Sequence, residues 1–129
     1  MSVAQGPTAV RGAIDVEANE PEAIAAAARK LTGEVMSRNG LKPNDVVTAI
    51  FSATPDLNAA YPAAALRGRG DGLDQVPLMC LAEMDVPGSL SRCLRLLLIC
   101  RGSFQPKPAY LGGAARLRPD LAGEGEPAR

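Results

Sequence analysis

The run Leu94-Arg95-Leu96-Leu97-Leu98-Ile99-Cys100 contains a single polar side chain, Arg95, and constrains the fold more than any other segment. It falls far short of the ~20 apolar residues that span a bilayer. It therefore reads as a strand of a soluble protein, and a guanidinium inside such a strand is costly unless it is paired or used. Other strands can be read around it. Val10 to Val16 alternates apolar and other residues. Val46-Val47-Thr48-Ala49-Ile50-Phe51 is a β-branched run of the buried type, ending in the polar loop Ser52 to Leu57. Val76 to Met84 reads as a further strand, and Tyr110 to Leu117 as a last one weakened by Gly112 and Gly113.

Helical signals fall between these strands. Asn19 reads as an N-cap followed by Pro21 in the first turn and Glu22 three positions on. Ile24, Ala28, Leu31 and Val35 then share one face, and Arg38-Asn39-Gly40 supplies the stop. Tyr61-Pro62 opens an Ala-rich helix ending near Arg67, before a flexible stretch from Gly68 to Gly72. Strands interleaved with helices imply an α/β or α+β domain, with one mixed sheet and helices on one face. At 129 residues the chain holds one such domain, over residues 10–121, with an arm at 1–9 and a tail at 122–129.

Composition limits the function. Hydrophobic residues make up 47% but aromatics only 3%, so Leu, Val, Ile and Ala must build the core, and small side chains point to an oligomer for further burial. Basic and acidic residues balance at 14 each, so there is no basic field for nucleic acid. The N-terminus lacks the apolar stretch of a secretory signal, and no segment suits a membrane, so a cytoplasmic protein is expected. Cys80, Cys93 and Cys100 form no C-x-x-C pair and no His is present, which argues against a metal site and for reduced, buried thiols.

Three charged residues stand out. Arg11 lies inside an apolar strand, Arg95 near the start of another, and Glu83 at the end of a third. They could form a buried ion pair serving only the fold, or a pocket at the strand ends that binds an anion through guanidinium forks. The chain offers no His for general-base work. Gly68-Arg69-Gly70-Asp71-Gly72 lacks the frame of a phosphate loop, and Cys80 has no His to activate it. Arginines, a carboxylate, a phenol and backbone donors remain. That inventory suits a reaction needing orientation and electrostatic stabilisation, with no proton transfer and no cofactor.

A set of segments carries a family resemblance: Val10 to Ala13, Ser52 to Leu57, Tyr61 through Arg67, Val76 through Cys80, Glu83 to Val86, Cys93 to Arg95, Tyr110-Leu111, and Leu117 to Leu121. In this order and spacing the chain resembles the small α/β trimeric chorismate mutases, a class distinct from the all-helical one. The resemblance implies a homotrimer with a pseudo-α/β-barrel core and active sites between neighbouring subunits. It also implies a Claisen rearrangement of chorismate to prephenate, in the route to Phe and Tyr. By the same resemblance Arg95 would face the ether oxygen, Arg11 and Tyr110 would hold the side-chain carboxylate, and Glu83, with Cys80, would accept from the ring hydroxyl. Tyr61, Ala63, Arg67, Leu78, Met79 and Leu117 would line the cleft, and Arg118 would approach the other carboxylate. Ala64 stands where many members have lysine, Met79 replaces a smaller polar residue, and Pro108-Ala109 replaces a basic–histidine pair in a shortened loop. The competing reading is a trimeric small-carboxylate binder or an imine deaminase of similar architecture.

Overall fold

The most apolar segment takes the centre of the sheet, where both of its edges find partners. The computed structural model describes residues 6–68, 70 and 72–121, the last of these by its backbone alone. In chain order it contains β1 (Thr8–Asp15), α1 (Pro21–Arg38), β2 (Val46–Ala53), β3 (Leu78–Ala82), β4 (Cys93–Cys100) and β5 (Ala109–Leu111). Short 3₁₀ turns lie at Pro43–Asp45, Pro62–Leu66, Leu73–Gln75, Gly112–Arg116 and Pro119–Leu121. The strands form one five-stranded sheet in the order β3-β2-β4-β1-β5. β4 is antiparallel to both β1 and β2, whereas β5 joins β1 and β3 joins β2 in parallel, so the sheet is mixed as expected.

Alternation divides the sheet into two unlike faces. Val10 and Ile14 of β1, Ala49 and Phe51 of β2, and Leu94, Leu96 and Leu98 of β4 are buried against Ile24, Ala28, Leu31 and Val35 of α1 in one core. Ala27 and Thr32 complete the buried stripe of the helix, the Thr32 hydroxyl donating to the Ala28 carbonyl at 2.7 Å. Gly12 permits this close approach. A Cβ there would stand 2.9 Å from the Ala109 carbonyl oxygen, Leu31 Cδ1 and Val35 Cγ2. The carbonyl belongs to a paired strand and cannot step aside, so Gly12→Ala should cost about 1–3 kcal/mol, read as a lowered urea midpoint. Among the described residues the 3₁₀ turn at Gly112–Arg116 covers one end of the opposite face, Ala114 packing with Ala13 and Tyr110, and no helix is long and apolar enough to cross a membrane.

Several boundaries differ from expectation. β1 starts at Thr8, so the last two residues assigned to the arm belong to the sheet, where the Thr8 hydroxyl donates to the Gly102 carbonyl at 2.6 Å. Residues 1–5, the tail at 122–129, Arg69 and Asp71 lie outside the described residues. The N-cap of α1 is Glu20, without a side-chain cap bond. Asn19 is drawn away instead, its Oδ1 accepting the N–H groups of Asn58 and Ala59 at 3.0 Å each. The expected helix after Tyr61 is a 3₁₀ turn, because Pro62 starts it and Gly68 follows too soon for α-helical propagation to offset nucleation. β3 is shorter than Val76 to Met84: Pro77 cannot donate to a ladder, and the residues before it form the turn at Leu73–Gln75. Chain bending also ends β5 early. Gly112 has φ +57°, and the Asp15 carboxylate fills the space where side chains on Gly112 and Gly113 would stand, accepting the Gly113 N–H at 2.8 Å.

One non-glycine residue among those described, Arg92, has a positive φ, +46°. A left-handed conformation at a long side chain costs on the order of 1–3 kcal/mol and persists only where its surroundings over-determine it. It lies immediately before β4.

Candidate active site

The face opposite α1 owes its chemistry to register. Arg95 pairs across β4 with Ser52 of β2 on one side and Ala13 of β1 on the other. Ser52 pairs in turn with Leu81 of β3, and Ala13 with Tyr110 of β5. Leu81, Ser52, Arg95, Ala13 and Tyr110 therefore form one row across all five strands, and paired residues project from the same face. Between Arg95 and Tyr110, Ala13 is fully buried, packed with Tyr110, Cys93 and Ala114. Ile50, Leu97 and Arg11 form the adjoining row.

These two rows enclose a hollow of about 290 Å³, lined by Arg11, Ile50, Ser52, Leu81, Arg95, Leu97 and Tyr110 together with Gly12 and Leu96. Glu83 reaches it from just beyond β3, where its N–H still donates to the Ala53 carbonyl at 2.9 Å. Its Oε1 accepts the Ser52 hydroxyl at 2.5 Å and its Oε2 stands 3.3 Å from Arg95 Nε. The side chains of Arg95 and Glu83 are 41% and 25% exposed, so this is no sealed core pair, and such pairs contribute little to stability. Arg95 Nε is itself enclosed yet has no hydrogen-bond partner, the 3.3 Å approach to Glu83 being poorly aligned. An enclosed donor without a well-aligned acceptor is unusual in a finished structure. The ion pair is thus partly exposed, and it borders an open hollow.

Tyr110 is buried to 3% exposure and packs with Ala13, Cys93 and Ala114, flanked by Leu90 and Leu117. Burial pushes the Cys93 thiol up, against a smaller opposing pull from Arg95, so it stays neutral beside the site. Burial raises Cys100 in the same way. All three cysteines are free; Cys80 is only half-buried, because it belongs to the edge strand β3.

The remaining expected residues gather elsewhere. Tyr61, Ala63, Arg67, Leu78, Met79 and Cys80, with Ala64, line a second hollow of about 400 Å³ that shares no residue with the first. Tyr61 and Met79 are 77% and 56% exposed there, large apolar groups left uncovered. Arg118 lines neither hollow. Its guanidinium forks onto Asp120 at 3.2 and 2.9 Å, which raises the arginine and lowers the carboxylate. Ser52, which from the sequence reads as the start of a loop, lies inside β2 and lines the first hollow; the spacing Ile50, Ser52 carries the strand alternation one step further.

A family profile described as chorismate mutase type I matches residues 8–121. The chorismate mutase AroH of Bacillus subtilis (strain 168) is 39% identical over 116 residues, covering 88% of this chain and 91% of its own. That of Thermus thermophilus is 41% identical over 116 residues, covering 87% and 93%. A solved chorismate mutase from Clostridium thermocellum superposes with a TM-score of 0.79 at 39% identity, over 84% of this chain and 98% of that one.

Proposed function

The chain belongs to the type I chorismate mutases, isomerases that rearrange chorismate to prephenate, and from this premise we propose how its own residues do so. In the Claisen step an ether C–O bond breaks as a C–C bond forms within one molecule, and no proton moves. The barrier has two parts that a protein can lower. The flexible dianion must be held in its compact reactive conformer, and the charge that grows on the ether oxygen must meet a fixed cation. No cofactor is required for either.

Arg95 is the cation at the ether oxygen. Arg11 and the Tyr110 hydroxyl hold the side-chain carboxylate, and Glu83 accepts from the ring hydroxyl with help from Cys80. The cross-sheet row that seats Arg95 between Ser52 and Ala13, with Tyr110 beyond, carries this reading, because guanidinium and phenol then face one space. Leu117 packs beside Tyr110, and Arg118 turns from Asp120 to the second carboxylate when the substrate enters.

The second hollow supports a homotrimer with shared sites. Tyr61, Ala63, Arg67, Leu78 and Met79 of one copy close over the Arg11–Arg95–Tyr110 hollow of the next, which also covers the exposed Tyr61 and Met79. Neither hollow alone surrounds a dicarboxylate. A cytoplasmic location accords with this biosynthetic role.

Adding the purified protein to chorismate should remove the substrate's ultraviolet absorbance, and a bicyclic dicarboxylate mimic of the transition state should block this loss. Absence of turnover by folded protein would overturn the assignment. Ala64 lines the second hollow and is exposed, so a cation there would face the incoming dianion. Ala64→Lys should lower KM by about two- to fivefold, with the gain fading as salt is added.

A further inference from the structure

We propose that Thr54 and Asp56 are positioning residues for Arg95, gripping the backbone at the entrance to β4 and so setting where the guanidinium stands. The inference rests on the role given to Arg95 above. A side chain is placed no better than its own backbone, and the backbone three residues before Arg95 is strained: Arg92 has φ +46°. Left to itself this residue would relax toward negative φ and carry the start of the strand with it.

Two groups of bonds prevent this, one from each neighbouring strand end. Beyond β2, the Asp56 carboxylate accepts the Arg92 N–H on both oxygens, at 3.0 and 2.9 Å. Its Oδ1 also accepts the Thr54 hydroxyl at 2.6 Å, and the same hydroxyl oxygen accepts the Cys93 N–H at 2.9 Å. The Thr54 N–H closes the ring on the Cys93 carbonyl at 3.1 Å. Beyond β1, Val16 donates its N–H to the Arg92 carbonyl at 2.8 Å, and its own carbonyl accepts Arg92 Nε–H at 2.9 Å. β1 and β2 are the two strands that flank Arg95. The clamp therefore ties the site's central strand to both neighbours at the end nearest the guanidinium.

Residue 56 must be a carboxylate for this. An amide would keep one acceptor and turn an NH₂ group against the Arg92 N–H. The Thr54 hydroxyl first, then the Arg92 N–H and its nearby charge, hold Asp56 below the usual carboxylate range, so it stays ionised near neutral pH. Asp56 is exposed and fills no core space, which separates its effect from packing.

The test is a set of kinetic variants checked for folding by circular dichroism. Asp56→Asn and Thr54→Val should each lower kcat by about tenfold with KM within about threefold, and Thr54→Ser, which keeps the hydroxyl, should restore most of kcat. Introduced into Arg95→Lys, Asp56→Asn should cost less than about threefold, since the group it serves is already displaced. The proposal is overturned if folded Asp56→Asn keeps the wild-type kcat, if kcat and KM move in step, or if the full loss persists in the Arg95→Lys background. Failure of both Asp56→Asn and Thr54→Val to fold would assign the clamp to stability and overturn it equally. If Arg95→Lys alone turns over normally, the role of Arg95 is at fault; if Arg95→Lys is impaired and Asp56→Asn is not, only this inference falls.

Discussion

Arg95→Lys should lower kcat by about 10²–10³ with little change in KM, although the charge is kept. The guanidinium offers a planar fork whose Nε is enclosed at the floor of the hollow, 3.3 Å from Glu83. A lysine ammonium is a single point on a flexible stem, and with Glu83 nearby it would settle on the carboxylate instead of the ether oxygen. Charge on that oxygen exists only as the bond breaks, so the loss belongs to kcat. Folding should hardly register the change, because a half-exposed ion pair contributes only about 0–1 kcal/mol. Steady-state chorismate consumption beside a thermal melt separates the two effects. A folded Arg95→Lys protein with wild-type kcat would remove Arg95 from the chemistry.

A second result of comparable size is expected from mixing two damaged chains. Arg95→Ala spoils the first hollow and Arg67→Ala the second, and these hollows share no residue. Alone, each variant should be impaired by at least about tenfold at low substrate. Unfolded together in equal amounts and refolded, they should recover roughly a quarter of the wild-type activity. Random assembly gives each shared site one chance in two of an intact half from either side. Sites built within a single chain would recover nothing, so an unchanged rate after co-refolding would end the interface proposal while leaving the reaction itself untouched.

The strand pattern and the main helix were legible because burial imposes periods of two and 3.6 residues over long segments. α1 and the central strand needed no tertiary information: Ile24, Ala28, Leu31 and Val35 face the core as their spacing demands. What failed was local and set by partners distant in sequence. Asn19 has the chemistry of an N-cap but is claimed by the Asn58–Ala59 backbone, and Asp15 bends the chain after β5 from 98 residues away. The site was legible as odd charges in apolar strands, Arg11 and Arg95, without the register that sets them beside Tyr110. Ser52 escaped because a hydroxyl at a strand end resembles the start of a loop; only the fold aligns it with Glu83 and Arg95. The separation into two hollows had no sequence signal at all.

The register of β4 against two strands at once bears on how this gene can change over generations. Loops such as Met84 to Ser91 can gain or lose residues at modest entropic expense. One codon lost between Arg92 and Arg95 would instead swap every side chain of the strand to the other face. An aliphatic group would then stand at the bottom of the hollow, with a cation driven under α1. Drift in such a lineage should accordingly replace letters within this strand while leaving its length untouched.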